Sequence, residues 1–246
     1  MANRTLHSIK DLTIGHGDRI LCSGISFDIC EGNCIMLCGA NGSGKTTLMK
    51  ALATISKNIS VPAGKKAELS KKSTESVREV IMIPARIPKV AGFTLREFAR
   101  IGCFSQSDMS GRLSEQQEES LDAAIGTLGL THLADRDIST LSDGEFQKAG
   151  LVSALVRNAS VILLDEPTAF LDAENRISVL ATLREICDRK GIAVIFSTHD
   201  LHDGLEFCTK VLAFGADGRF RCSGNTSESM SETISTIFSR SRERIL

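Results

Sequence analysis

The 246-residue chain contains no tryptophan and no tyrosine; its rings are 11 phenylalanines and 5 histidines. That absence removes the residues that usually form an interfacial belt at a membrane. It also leaves only Phe and His rings to stack on a nucleotide base. A basic excess is missing as well. Lys plus Arg is 29 and Asp plus Glu is 30, a formal charge of -1, which argues against a nucleic-acid-binding chain. No apolar run approaches the roughly 18 residues needed to span a bilayer. Residues Met1–Lys10 hold no apolar h-region, so no signal peptide is expected. No Cys-x-x-Cys pair occurs among the eight cysteines. Cys30, Cys34 and Cys38 recur every four residues, as on a metal face, but without a zinc-type spacing. Cys34 and Cys38 lie in an apolar stretch and read as small buried hydrophobes. Reduced thiols of a cytoplasmic protein are the expectation.

What is present suits one large domain or two small ones, with 42% hydrophobic and 24% charged residues. Ile25, Phe27 and Ile29 alternate with Ser26, Asp28 and Cys30, the period of a half-exposed antiparallel strand. Cys34–Cys38 is apolar on both faces, as a central strand under helices would be. A glycine-rich loop and a helix over Thr46–Ala53 follow it. Further buried-strand candidates are Val161–Leu164, Ile192–Ser197 and Val211–Phe214, separated by helical sequence, a rhythm that predicts a parallel α/β sheet. Between them, Lys57–Ser76 is polar and predicts loops and short edge strands. Residues 86–155 read as mainly helical, with capping boxes at Thr94/Glu97 and Ser114/Gln117 and an apolar stripe of Leu121, Ile125 and Leu128. Asp217-Gly218 reads as a turn, and the basic tail 239–246 as frayed or unstructured.

Gly39-Ala40-Asn41-Gly42-Ser43-Gly44-Lys45-Thr46 fits G-x-x-x-x-G-K-[ST] between a strand and a helix, the context that gives the motif weight. Such a loop turns its N–H groups onto phosphate, and the helix N-terminus adds positive potential. Lys45 supplies charge for the β- and γ-phosphates, and Thr46 a hydroxyl for Mg²⁺. The buried run Val161–Leu164 ends in Asp165 and Glu166. Asp165 reads as a Mg²⁺ holder, and Glu166 as the group that polarises an attacking water. Leu141-Ser142-Asp143-Gly144-Glu145 opens a helix, with Ser142 as a simple N-cap or as part of a second anion site. Ser197-Thr198-His199-Asp200 ends another buried strand, and His199 is either structural or within reach of a γ-phosphate.

In this order and spacing the motifs resemble the ATP-binding-cassette (ABC) ATPases, over a stretch from about Leu6 to Phe238. Gly39–Thr46 looks like Walker A, Leu141–Glu145 the signature, Val161–Glu166 Walker B, Phe170-Leu171-Asp172 the D-loop and His199 the H-loop. The resemblance is strongest to ATP-binding subunits of ferric-siderophore, haem and cobalamin importers. It implies a P-loop NTPase (RecA-like) core with a mainly parallel sheet, an N-terminal antiparallel β subdomain and an inserted helical subdomain. It implies ATP and Mg²⁺ as cofactors, with Gly39, Asn41, Gly42, Ser43, Gly44, Lys45, Thr46 and Thr47 on nucleotide, Thr46 and Asp165 on metal, and Lys45, Glu166 and His199 in catalysis. Two copies would sandwich ATP head to tail, so that Ser142 and Gly144 meet the nucleotide held by the other copy. Membrane permease subunits, with a substrate-binding protein upstream, would complete an importer, and no nucleic acid is involved. The chain would sit peripherally on the inner face of the cell membrane. The alternatives are an ABC ATPase outside transport and a weakly hydrolysing regulatory module.

The sequence departs from the family pattern at three places. A Pro-Gln step normally precedes the helical segment; here Pro84 is followed by Ala85, and no Gln occurs between Lys57 and Phe104. The customary adenine-stacking Tyr is replaced in Ile14-Gly15-His16, leaving His16 either to stack or to remain a solvated loop residue. An Ala-Arg-Ala-Leu run in the helix after the signature becomes Val152-Ser153-Ala154-Leu155, which would remove a charge contact. Restoring the amide with Ala85→Gln is expected to raise steady-state ATP hydrolysis several-fold; an unchanged rate would mean that this loop does not serve as a Q-loop.

Overall fold

The structure is a computed structural model that describes residues 4–17, 19–56, 68–69, 79–85, 87–103, 113–157, 159–215 and 217–238. The chain opens with two long strands, β1 (Thr5–His16) and β2 (Arg19–Cys30), which pair as an antiparallel hairpin. Strand β3 (Cys34–Gly39) leads through the glycine-rich loop into helix α1 (Lys45–Ser56). The short β4 (Glu68–Leu69) pairs with β1 and gives a sheet of order β2-β1-β4. Strand β5 (Val80–Ile83) is followed by three helices, α2 (Leu95–Arg100), α3 (Glu115–Thr127) and α4 (Asp143–Val156). Then β6 (Val161–Leu164), α5 (Ala173–Lys190), β7 (Ala193–Ser197), α6 (Leu201–Phe207) and β8 (Lys210–Phe214) alternate. The chain closes with β9 (Phe220–Cys222) and α7 (Ser227–Phe238).

The second sheet runs β5-β6-β7-β3-β8-β9. All of its pairings are parallel except the β8–β9 hairpin. Its central strands are apolar on both faces because each face has its own core. Cys34, Met36 and Cys38 of β3 pack with Ile162, Leu164, Val194 and Phe196 against the helices. Ile35 and Leu37 point the other way, with Val161, Leu163, Ala193 and Ile195, into a core shared with Leu48, Met49 and Leu52 of α1 and with Ile9, Leu12, Ile25, Phe27 and Ile29 of the hairpin. Helix α1 therefore lies between the two sheets. The expected mainly parallel α/β core, antiparallel N-terminal sheet and helices inserted between strands are all present. Two short strands, β5 and β9, went unread in the sequence.

Three helices start where their caps dictate. Thr94, Ser114 and Ser142 each accept a hydrogen bond from the main chain three residues on, while Glu97, Gln117 and Glu145 return one. Such caps contribute about 1 kcal/mol each. The stripe Leu121, Ile125 and Leu128 is buried as expected, and Phe98 of α2 meets Phe146 of α4 with ring centroids 5.2 Å apart. Cys34 and Cys38 are buried among the helix-facing core residues, and the described residues hold no group of three or more His, Cys, Asp or Glu side chains placed to bind a metal ion. Most of the polar tract Lys57–Ser76 and all of the basic tail 239–246 lie outside the described residues.

Around Ser153, α4 is met by the main chain of Gly102, in the turn after α2. Its charge contact comes one turn later, where Arg157 pairs with Glu79 ahead of β5. A Cβ on Gly102 would fall 2.7 Å from the Cα of Ser153, and that neighbour is backbone in a packed helix. Gly102→Ala should therefore destabilise the fold by about 1–3 kcal/mol. A urea midpoint equal to that of the unmodified chain would contradict this close approach.

Candidate nucleotide site

In an open parallel sheet the crevice beyond the carboxyl ends of the strands is where ligands bind. Strands β6, β7 and β3 are neighbours in the sheet, so their C-terminal ends deliver three groups of polar side chains to one place. From β3 come the loop Gly39–Gly44 and the first residues of α1. From β6 come Asp165 and Glu166, and from β7 come Ser197 and His199.

The loop takes its shape from its glycines. Gly42 has φ 74° and Gly44 φ 110°, backbone that side-chain-bearing residues rarely adopt. Lys45 is buried, and its ammonium folds back to donate to the carbonyls of Gly39 (2.9 Å) and Ala40 (3.2 Å). Burial pushes the Lys45 pKa below its ordinary value, while the carboxylates of Glu166 and Asp165 pull it back up. Ser43 Oγ is buried and meets no hydrogen-bond partner among the described residues. A buried hydroxyl without a partner is costly, and a phosphate oxygen in the loop would relieve it. Asn41 is exposed on the rim.

Beneath the loop the contacts form one chain. Thr46 Oγ1 donates to Asp165 Oδ2 at 2.7 Å. Ser197 Oγ donates to Asp165 Oδ1 at 2.8 Å and accepts the main-chain N–H of Glu166 at 2.8 Å. His199 Nε2 lies 2.7 Å from Glu166 Oε1. Glu166 itself has φ 49°, a left-handed conformation that costs a residue with a Cβ about 1–3 kcal/mol. The surrounding bonds hold it there. A hydroxyl beside a carboxylate is a donor set suited to a hard cation such as Mg²⁺, and the Thr46–Asp165 pair meets that description.

Lys45, Thr46, Asp165, Glu166 and His199 are thus brought together. Thr47 is drawn to His16 at the end of β1, with Thr47 Oγ1 and His16 Nε2 3.0 Å apart, and His16 is exposed. Ser142 and Gly144 lie on a different element. The Ser142 hydroxyl caps α4 by accepting from the Glu145 N–H at 3.3 Å, and a Cβ on Gly144 would lie 2.8 Å from Asn175 Oδ1 of α5. Gly144 thus has a packing reason of its own. Ala85 follows β5, beside the Walker B strand, where Asp165 N donates to Ile83 O at 3.2 Å. Its methyl group offers no hydrogen bond.

Ser197 was missed in the sequence because it reads as the last residue of an apolar strand. Arg176 was missed too. From α5 it pairs with Asp200 and Asp203 and pins the segment that carries His199. A lone serine closing an otherwise apolar buried strand was the available signal for Ser197.

A family profile described as ABC transporter matches residues 22–169. The achromobactin transport ATP-binding protein CbrD of Dickeya dadantii (strain 3937) is 30% identical over 206 residues, which span 83% of this chain and 77% of that protein. The iron(3+)-hydroxamate import ATP-binding protein FhuC of Bacillus subtilis (strain 168) is 29% identical over 209 residues, 84% of this chain and 77% of its own length. In fold, the ADP conformation of MJ1267, an ATP-binding cassette of an ABC transporter, superposes with a TM-score of 0.77 at 20% identity, covering 94% of this chain and 95% of the other.

The His16–Thr47 contact puts an imidazole next to the first turn of α1. His16→Ala should weaken nucleotide binding roughly fivefold and His16→Tyr should strengthen it, in line with stacking worth about 1 kcal/mol or more per base. Equal affinities for all three proteins in a titration with a fluorescent ATP analogue would return His16 to a solvated surface role.

Proposed function

This chain belongs to the ABC transporter family and is an ATP-binding ATPase subunit, and we propose that it powers uptake of an iron chelate, haem or cobalamin through separate membrane permease subunits. The observation that carries the ATPase reading is the convergence of Lys45, Thr46, Asp165, Glu166 and His199 at the ends of three adjacent strands. The printed functions of relatives such as CbrD and FhuC support the cargo class.

In this reading Lys45 leaves the Gly39 and Ala40 carbonyls and turns its ammonium to donate to the β- and γ-phosphates. The glycine-rich loop, with Asn41, Ser43 and Thr47, wraps the remaining phosphate oxygens, and His16 meets the adenine. Thr46 and Asp165 would hold Mg²⁺, which would supply positive charge to offset that of the phosphates. Glu166 accepts a proton from the attacking water, and His199, already on its carboxylate, orients it. Ser142 and Gly144 would complete the site of a second copy. The exposed apolar side chains Val90, Phe93 and Ile101 flank α2 and suit a permease contact. No helix among the described residues is long and apolar enough to cross a membrane. As in the import systems of its relatives, the work of this chain would lie on the inner membrane face, with a substrate-binding protein delivering cargo from the other side.

Ala85 favours a second reading, a nucleotide-binding regulatory module with little hydrolysis, because the family's amide is absent from the Walker B edge. Replacing Glu166 by Gln separates the two. Mg²⁺-dependent phosphate release should fall by about two orders of magnitude, the scale of a lost general base, while ATP binding persists. A rate insensitive to the substitution would remove Glu166 from the catalytic role. No release from the unmodified chain with its membrane partners would favour the regulatory module.

A further inference from the structure

We propose that Ser197 is a positioning residue that sets both the Asp165 carboxylate and the Glu166 main chain for ATP hydrolysis, an inference that rests on the ATPase reading of this site. Strand β7 is buried along its whole length, and Ser197 is its one polar side chain, 0% exposed. Its hydrogen bonds have only one consistent sense. The Glu166 N–H can only donate, so Ser197 Oγ accepts it. The single hydroxyl proton is then free for Asp165 Oδ1. One buried atom therefore fixes the carboxylate of one residue and the peptide of the next.

That coupling matters because of what surrounds it. Glu166 holds a left-handed φ of 49°, so its peptide needs a fixed partner if the carboxylate is to keep its aim. His199 grips the same residue at the other end, through Oε1. Asp165 has a second hydroxyl on Oδ2, from Thr46. Thr46 would turn to the cation when Mg²⁺ binds, and Ser197 would be left as the side chain orienting Asp165. At the neighbouring strand end stands Ala85, which contributes no polar side chain. Ser197 supports, from beneath, an acidic pair whose neighbouring strand end carries Ala85 in place of a glutamine. Partners of this outer kind typically change metal affinity or activity by about 10- to 100-fold.

The test uses the full chain with Ser197→Ala and Ser197→Thr, the second keeping the hydroxyl. Melting temperature is read first. Steady-state kinetics in ATP then give kcat and KM, and ATP binding is titrated with Mg²⁺ and again in chelator. Ser197→Ala should lower kcat about tenfold or more with KM nearly unchanged, and should raise the Mg²⁺ needed for half-maximal nucleotide binding by a similar factor, leaving chelator binding unaltered. Ser197→Thr should restore most of both. If Ala does not yield folded protein, Ser197→Cys, of similar size and weak hydrogen bonding, takes its place with the same expected losses. The proposal is overturned if Ala leaves kcat and the Mg²⁺ requirement as they were, or if Thr falls as far as Ala. Should the unmodified chain itself release no phosphate, the ATPase reading fails, and the Mg²⁺ titration alone still decides the role of Ser197.

Discussion

A carboxylate pair at the end of an apolar strand is expensive unless each oxygen is met, and the site depends on how Asp165 is met. Its two oxygens take hydroxyl protons from Thr46, in the first turn of α1, and from Ser197, at the end of β7. Those bonds are possible only because β6, β7 and β3 are adjacent and in parallel register, so that the three strand ends open on one crevice. The two cores on either face of the sheet hold that register. Displacing one strand by a residue would exchange the side chains fitted into the two cores and break the polar chain at once. Stability of the sheet and geometry of the site are therefore the same requirement.

From that requirement the other contacts follow. The glycine-rich loop leaves β3 with Lys45 turned inward, and the neighbouring carboxylates partly offset the cost of burying its charge. Glu166 is held by main chain at Ser197 and by side chain at His199, and Arg176 pins the segment beyond His199 through Asp200. The signature stands apart, at the N-terminus of α4. There Ser142 caps its own helix while Lys89 reaches the Leu141 carbonyl and Asp143. The segment after β5 is thereby tied to the start of α4 within one chain.

Much of this was legible in the residues. Alternation in β2 and continuous apolarity in β3, β6 and β7 reported one- and two-sided burial, the capping boxes marked the starts of α2 and α3, and Ser142, read as an N-cap, marked that of α4. The phosphate loop and the Asp165-Glu166 pair were plain because their chemistry demands particular residues at fixed spacing. Strands β5 and β9 were hidden because three or four residues carry too little periodicity. Ser197 and Arg176 were hidden for a different reason. Their meaning lies in partners 31 and 24 residues away; a lone serine closing an apolar strand is only a weak local sign, and nothing local distinguishes Arg176 from a surface arginine. Gly144 shows the converse: the resemblance gave it a nucleotide contact, and the fold adds close packing on Asn175.

Without Tyr or Trp, the place of an adenine-stacking ring in the proposed function would fall to His16, which lies against Thr47. With Ala85 it marks where this chain differs from the family pattern while the groups on Asp165 and Glu166 stay assembled. The central claim is that those groups hydrolyse ATP between two copies of the chain. Phosphate release from ATP with Mg²⁺, followed against the concentration of the full chain, tests it most directly. Hydrolysis shared between two copies, with Ser142 and Gly144 supplied by the second, would give a rise steeper than linear at low concentration. A strictly linear dependence, or no Mg²⁺-dependent release at any concentration, would contradict it.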